Sequence, residues 1–118
     1  MAERLNAVED VDIDADGRFK YVLIKVESSD SWKYIVRGYN FASYHADVFD
    51  KVQPGIEGIG LTCECVGGGR IQHNSGEKSI HVYGYSMGFG RADHSVTVEK
   101  LKEKYPHYAK IDFSNEGY

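Results

Sequence analysis

Alternating hydrophobic and polar residues predict short strands in the first third of the chain. Residues 11–14 alternate and are followed by Asp16-Gly17, a dipeptide that favours a hairpin turn between two strands. Residues 19–26 are apolar on both faces, which is typical of a strand in the middle of a sheet. Another strand is predicted to start at 34 and end near 38. Residues 1–10 have no such pattern, and we expect a loose start.

Two segments have a helical period instead. Residues 41–52 place three apolar side chains on one helical face, with Ser43 as a candidate N-cap and the helix starting there or one or two residues later. Pro54 and Gly55 are expected to end this helix. Residues 96–105 predict a second helix, capped by Asp93 or Ser95 and ended by Pro106.

The second half of the chain adds further strands. Residues 61–66 predict a strand that the triple glycine at 67–69 interrupts, and the strand resumes at 70–73. A turn then leads into a β-rich segment over 79–85, which predicts a hairpin. A Gly-rich loop over 86–93 follows, and 108–113 predicts the last strand. Six or seven strands with two helices make an α/β (α+β) fold, in which the helices cover a mixed sheet.

Length and composition limit the class of protein. The 118 residues, 42% of them hydrophobic, suit one domain over 1–118 with its own core. A net charge of −4 argues against a generic nucleic-acid or membrane-surface binder, which needs a basic face. There is no long apolar run and no signal-peptide pattern, and two cysteines are too few for a disulfide scaffold. We therefore expect a cytoplasmic protein.

His45 is the first residue whose position suggests a catalytic role. It stands at the start of the first predicted helix, where free backbone N–H groups favour an anion. The helix dipole disfavours an imidazolium at that end, so the ring stays neutral near pH 7. A neutral imidazole beside an anion site is a usable base or nucleophile toward a phosphoryl group. A histidine that only packs or caps is the alternative.

Lys20 and a glycine loop offer groups that can bind such an anion. Alternation puts Lys20 on an otherwise apolar face, where its ammonium needs an anion or a route to solvent. The loop through Ser86, Met87 and Gly88 has glycines that let several N–H groups converge on one point. It is neither a Walker loop nor a dinucleotide fingerprint, and an ordinary turn is the alternative.

Positive charge and possible metal ligands complete the candidates. Arg70 follows the triple glycine and could bring charge to a ligand, whereas a simple β-bulge is the other interpretation. Arg37, at a strand end, could also add positive potential, although its position favours a side chain that is solvated at the surface. Cys63 and Cys65 with nearby histidines suggest a metal site, but the spacing is not that of a zinc knuckle and no second pair closes it.

Taken together, these motifs resemble the Janus/Ocnus family across nearly the whole chain. The matching segments, in order, are VDID at 11–14, FKYVLI at 19–24, YHAD at 44–47, CECVGGGR at 63–70, VYGYS at 82–86, EKYP at 103–106 and EGY at 116–118. The resemblance implies a six-stranded sheet between two helices. It also implies a monomeric protein phosphatase that removes phosphate from phosphohistidine in proteins, without a metal or cofactor.

The resemblance also assigns roles to residues of this chain. It implies that His45 is the catalytic base or nucleophile and that Lys20 contacts both the phosphate and this histidine. Backbone N–H groups of Ser86, Met87, Gly88 and Ala46 are implied to bind phosphate, with Arg70 adding positive charge. The partners would be phosphohistidine-containing proteins, with no nucleic acid and no membrane. A non-catalytic phosphate- or phosphoprotein-binding module with the same donors is the alternative function.

Overall fold

The computed structural model describes residues 2–116, so Met1 and the last two residues of the EGY motif lie outside the described part. Nine elements follow one another along the chain: α1 (Ala2–Asn6), β1 (Val11–Ile13), β2 (Gly17–Glu27), β3 (Trp32–Tyr39), α2 (His45–Glu57), β4 (Thr62–Asn74), β5 (Ser79–Tyr83), α3 (His94–Lys104) and β6 (Lys110–Phe113). In the described residues, none of the helices is long and apolar enough to span a membrane.

One mixed sheet organises the molecule, as predicted. Its strand order is β1-β3-β2-β4-β5-β6, with antiparallel pairing inside and a parallel pair at each edge. The predicted hairpin at Asp16-Gly17 is wrong, because β1 pairs in parallel with β3 instead of with β2. Both edges of β2 are occupied by β3 and β4, so no edge is free for β1. The hairpin between β4 and β5 is confirmed.

The two long helices cover opposite faces of this sheet. Strand β2 lies in the interior and alternates its side chains between two cores, which explains why it is apolar on both faces. Tyr21 and Leu23 pack in the core that contains Leu101 of α3. Val22 and Ile24 pack in the core that contains α1 and α2 residues. The predicted central strand and the two covering helices are confirmed.

The expected loose start is instead a short helix. Leu5 and Val8 are buried in the core beneath α2, which fixes α1 against that face. The segment that follows is tied down by charge, because Asp10 accepts from Lys33 at 2.7 Å and from Lys100 at 3.0 Å. Two buried apolar contacts and this ion cluster outweigh the lack of a sequence pattern.

Helix α2 does not end at Pro54 and Gly55 as predicted. It runs to Glu57, and the N–H of Gly58 donates to the carbonyl of Pro54 at 2.8 Å. A proline inside a helix removes one backbone donor and its ring crowds the carbonyl of the preceding turn, which costs about 3 kcal/mol. Burial of Ile56 in the core holds the last turn in place despite that loss. The second predicted helix is confirmed and begins at His94, with Asp93 as its cap.

The triple glycine does not interrupt a strand either, because β4 is continuous from Thr62 to Asn74. The pairing with β2 shifts by one residue between Leu23 and Ile24, which makes a β-bulge just before Gly67. The glycines are needed for space. A Cβ on Gly69 would lie 2.4 Å from the carbonyl oxygen of Tyr83, so no side chain fits there.

Candidate active site

The start of α2 leaves two backbone donors unused. The carboxylate of Asp47 accepts hydrogen bonds from the N–H groups of Ser43 at 3.1 Å and Tyr44 at 2.9 Å. Tyr44, one residue after the predicted cap, is the N-cap. Within residues 2–116, no hydrogen bond uses the N–H groups of His45 or Ala46. These two amides point out of the helix end and are available to an anion.

The His45 ring is held in one tautomer. Its Nε2 lies 2.9 Å from the carbonyl oxygen of Gly69, and a carbonyl oxygen can only accept. Nε2 therefore carries the proton and Nδ1 carries the lone pair. His45 is 7% exposed, and its ring packs directly on Gly68, where a Cβ would lie 2.7 Å from Cδ2 of His45. The geometry thus assigns Nδ1 as the basic atom.

The surroundings of His45 lower its pKa below the usual 6.5. Burial is the main cause, and the positive charges of Lys20 and Arg70 act in the same direction. The hydrogen bond to Gly69 opposes them in part. A lowered pKa means that the imidazole is neutral at pH 7, as the helix position predicted. A neutral ring can accept a proton or attack phosphorus.

Lys20 and Arg70 stand side by side below the helix start. They are directly opposite each other in the pairing of β2 with β4, so both side chains lie on the face that α2 covers. Together with Asn40 and Ala42 they line a small cleft. Both cations also act on the pKa of His45, so they lie near the start of α2, and positive groups of this kind suit a phosphoryl group.

The glycine loop forms a closed turn with free donors at its tip. The N–H of Ser86 donates to the carbonyl of Gly90 at 3.1 Å, and the return bond measures 2.8 Å. The Ser86 hydroxyl accepts from the N–H of Phe89 at 3.1 Å. In the described part of the chain, the N–H groups of Met87 and Gly88 make no hydrogen bond. These two amides are the donors that this loop can offer to a ligand.

Gly68 brings the loop and the histidine together. A Cβ on Gly68 would meet Cδ2 of His45 at 2.7 Å and Cβ of Ser86 at 3.2 Å, so both residues flank the same glycine. The rings of Phe49 on α2 and Phe89 in the loop also touch, with centroids 6.0 Å apart. The structure therefore places the glycine loop next to His45 at the start of α2.

Sequence reasoning missed a polar network on the other side of the sheet. The Nε2–H of His94 donates to the carbonyl of Gly84 at 2.8 Å, so its Nδ1 accepts from the Tyr21 hydroxyl at 2.6 Å. Tyr21 in turn contacts the Thr97 hydroxyl at 3.0 Å. Gly69 packs against both rings, because a Cβ there would lie 2.7 Å from Cε1 of His94 and 3.1 Å from Cε1 of Tyr21. The network supports Gly69, whose carbonyl binds His45, and Gly84, which precedes the glycine loop. No local sequence pattern predicts this network.

Arg37 departs from its predicted surface position. It is 7% exposed and donates to the carbonyls of Val36 at 2.9 Å and Glu9 at 2.8 Å. Its guanidinium thus fastens the segment before β1 to β3. Because Arg37 is buried and donates to two backbone carbonyls, we assign it a role in the fold.

The possible metal ligands do not come together. Cys63 and Cys65 pack at the edge of the α2-side core, and burial raises the pKa of Cys65 to about 11. His73 is bound to the carbonyl of Asp14 and the hydroxyl of Tyr108, and His81 is bound to Asp112. Among residues 2–116, no group of three or more His, Cys, Asp or Glu side chains could hold a metal ion.

Comparison with known proteins identifies the family. The model of the Janus/Ocnus family (Ocnus) matches residues 5–109. The chain is 52% identical to the 14 kDa phosphohistidine phosphatase of Sus scrofa, covering 99% of this chain and 98% of that protein. The human protein of the same name is also 52% identical, with 97% and 96% covered. The sex-regulated protein janus-A of Drosophila yakuba is 49% identical, with 98% and 86% covered. The chain therefore belongs to the Janus/Ocnus family.

Proposed function

We propose that this chain is a protein histidine phosphatase that hydrolyses the P–N bond of phosphohistidine in proteins. The observation that carries the proposal is the neutral His45 ring at a helix start with two free amides, beside Lys20 and Arg70. Two relatives that are 52% identical over nearly their whole length are named phosphohistidine phosphatase, which supports the same conclusion.

In the proposed reaction, the phosphoryl oxygens lie against positive groups. Lys20 and Arg70 face them from the sheet, while the amides of Ala46, Met87 and Gly88 face them from the helix and loop. The Ser86 side chain keeps the loop closed. These donors are in place before the substrate arrives, so they stabilise the charge that develops on the transferring group without reorganisation.

Nδ1 of His45 acts in one of two ways. As a base, it takes a proton from the attacking water while the water oxygen bonds to phosphorus and the P–N bond breaks. As a nucleophile, Nδ1 itself takes the phosphoryl group, and water releases phosphate in a second step. In the base route, Nδ1 passes the proton from water to the leaving imidazole nitrogen. In the nucleophilic route, solvent protonates the leaving nitrogen, and the water that releases phosphate returns a proton to solvent. In both routes the substrate histidine leaves as the neutral ring. The weak P–N bond requires little acid assistance.

The proposal extends to the state of the enzyme. It describes one catalytic domain over 1–118, acting as a cytoplasmic monomer with no metal or cofactor. Positive charge from Lys20, Arg70 and the free amides takes the place that a cation has in many phosphoryl-transfer enzymes. Phosphohistidine-containing proteins are its partners, and neither nucleic acid nor a membrane is required.

Turnover of a phosphohistidine peptide in the presence of EDTA tests this function. We expect multiple turnovers by the wild type and none above background by His45→Ala. His107→Ala is the matched control, because His107 is exposed beyond the end of α3, the helix that covers the other face of the sheet. Unchanged turnover in His45→Ala would remove His45 from the mechanism.

The same assay separates the alternatives. A non-catalytic reader of phosphoproteins would bind the peptide without releasing phosphate. Rapid quench of the reaction with labelled substrate distinguishes the two catalytic routes. Acid-labile, base-stable label on His45 would establish the covalent route, and its absence during turnover would favour the base route.

A further inference from the structure

A half-buried tyrosine, an exposed phenylalanine and an exposed lysine lie together at the end of β3. The rings of Tyr39 and Phe41 are stacked with centroids 5.8 Å apart. The ammonium of Lys51, on α2, lies 5.9 Å from the Tyr39 ring and 5.7 Å from the Phe41 ring. Phe41 is 57% exposed. We call Tyr39, Phe41 and Lys51 the aromatic rim.

The aromatic rim is continuous with the candidate active site. Tyr39 is directly opposite Lys20 in the pairing of β2 with β3, and Lys20 is directly opposite Arg70. The three side chains therefore form one row across the sheet face that α2 covers. Asn40 and Ala42, on either side of Phe41, line the cleft that holds Lys20 and Arg70.

Further apolar side chains border the other parts of the site. Tyr44, which precedes His45, is 71% exposed, and Met87, at the tip of the glycine loop, is 85% exposed. Large apolar side chains scattered singly on a surface need no explanation, but these occupy three segments around one anion site. Their position suggests that what binds there is larger than a phosphate ion.

The positive charge of Lys51 gives this surface a preference for acidic ligands. Among residues 2–116, Lys51 has no salt bridge, so its ammonium is held only by the two rings. Of the acidic residues around the aromatic rim, Asp12 accepts from the Tyr39 hydroxyl at 2.8 Å, Asp47 is engaged with the amides before the helix, and Asp50 is exposed. The aromatic rim therefore presents a cation over aromatic faces, next to Lys20 and Arg70. Such a surface complements a peptide ligand that has an apolar or aromatic side chain for the rings and a neighbouring carboxylate for the ammonium of Lys51.

We propose that the aromatic rim binds the polypeptide next to the substrate's phosphohistidine, and selects substrates with an aromatic or large apolar residue and an acidic residue there. This inference rests on the proposed phosphatase function. An extended chain advances about 3.3 Å per residue. When the substrate's phosphohistidine is bound beside His45, the substrate residues one to three positions away therefore lie over the aromatic rim. The occupant is thus part of the substrate protein itself.

Paired assays on a large and a small substrate test the proposal. The large substrates are two phosphohistidine peptides that differ only in carrying Phe-Asp or Phe-Lys beside the phosphohistidine, on each side in turn. The small substrate is phosphoramidate, which has a P–N bond but no polypeptide. The variants are Phe41→Ala and Lys51→Glu. The matched controls are Trp32→Ala and Lys25→Glu, because Lys25 lies 4.9 Å above the Trp32 ring at the opposite end of β3.

Phe41→Ala is expected to lower kcat/KM for the Phe-Asp peptide about three- to tenfold, mainly through KM, while the rate with phosphoramidate stays within twofold. Lys51→Glu is expected to reverse the preference, so that the Phe-Lys peptide becomes the better substrate. The control variants are expected to behave like the wild type with every substrate.

Two results would overturn the docking proposal while leaving the phosphatase intact. One is turnover of peptides that Phe41→Ala and Lys51→Glu leave unchanged. The other is an equal loss with peptide and phosphoramidate, which would mean that the aromatic rim acts only by supporting the catalytic groups. Absence of wild-type turnover on both substrates would instead overturn the phosphatase function, and the docking proposal with it.

Discussion

The imidazole of His45 donates from Nε2 to the carbonyl oxygen of Gly69 at 2.9 Å, which joins the first residue of α2 to the central part of β4. The bond leaves Nδ1 free and turns the ring over Gly68. Gly69 also rests against His94 and Tyr21 on the far side of the sheet. One peptide of β4 thus connects the candidate catalytic ring to the buried network behind it.

Gly68→Ala is expected to lower kcat about 100-fold or more. The new Cβ would lie 2.7 Å from Cδ2 of His45 and 2.8 Å from the carbonyl oxygen of Tyr21, so the ring must move. A displacement of about 1 Å in a reacting group can cost this much. Steady-state kinetics give the measurement, and Gly76→Ala is the control because its nearest neighbour would be 3.5 Å away. Normal kcat in Gly68→Ala would contradict the assigned position of His45.

The acid side of the pH–rate profile is expected to depend on Lys20. His45 works as the neutral ring, so kcat/KM rises with pH through its pKa, which lies below 6.5, and is level at neutral pH. Lys20→Gln removes a positive charge that lowers this pKa. The acid limb should therefore move to higher pH, besides any loss of rate.

NMR titration of the His45 ring gives the same pKa independently of turnover. Lys25→Gln is the control, since this lysine is on the same strand but lies over Trp32 at its other end. An acid limb that stays in place in Lys20→Gln, with an unchanged ring titration, would show that the lysine charge does not act on His45.

Tyr21→Phe is expected to lower the free energy of unfolding by about 1–3 kcal/mol. It deletes a hydroxyl that donates to Nδ1 of His94 at 2.6 Å and contacts Thr97 at 3.0 Å, in a fully buried position. The buried acceptor then loses its partner. Denaturant unfolding gives the value. Tyr34→Phe is the control, and its hydroxyl makes no hydrogen bond within residues 2–116, so a change within about 0.5 kcal/mol is expected. Equal effects would contradict the role given to the network.

Gly55→Ala is expected to stabilise the protein by about 0.5–1 kcal/mol. Gly55 lies inside α2, and a Cβ there would have no atom within 4 Å. Alanine restricts the unfolded chain and favours the helix. Gly60→Ala should do the opposite, because Gly60 has φ +87° and any Cβ is strained there. Thermal unfolding compares the two, and a Gly55→Ala protein less stable than wild type would contradict the prediction.

Much of the fold was predictable because the signals are local. The apolar run over 19–26 has no polar face, so a strand there must be covered on both sides, and β2 is. The period over 41–52 places α2, and Asp93 before the second helix is a good cap. Such signals depend on neighbouring residues alone.

The predictions that were wrong share one cause, which is tertiary contact. The start of the chain forms α1 because Leu5 and Val8 find a core built by residues far along the chain. Strand β1 pairs with β3 because β2 has no free edge. Helix α2 continues past Pro54 because Ile56 is buried. In each case a tertiary contact outweighs a local preference, and local patterns carry no information about that contact.

The candidate site divides in the same way. The sequence by itself determined which chemical groups are available: a histidine at a helix start, a lysine on an apolar strand face, an arginine after three glycines and a glycine-rich loop. Only the tertiary structure decided that Gly68 seats His45 beside Ser86, that Gly69 accepts from Nε2 and leaves Nδ1 as the basic atom, and that Arg37 is used elsewhere. A hydrogen bond between residues 24 positions apart depends on how the helix lies across the sheet, and packing of the whole chain sets that orientation.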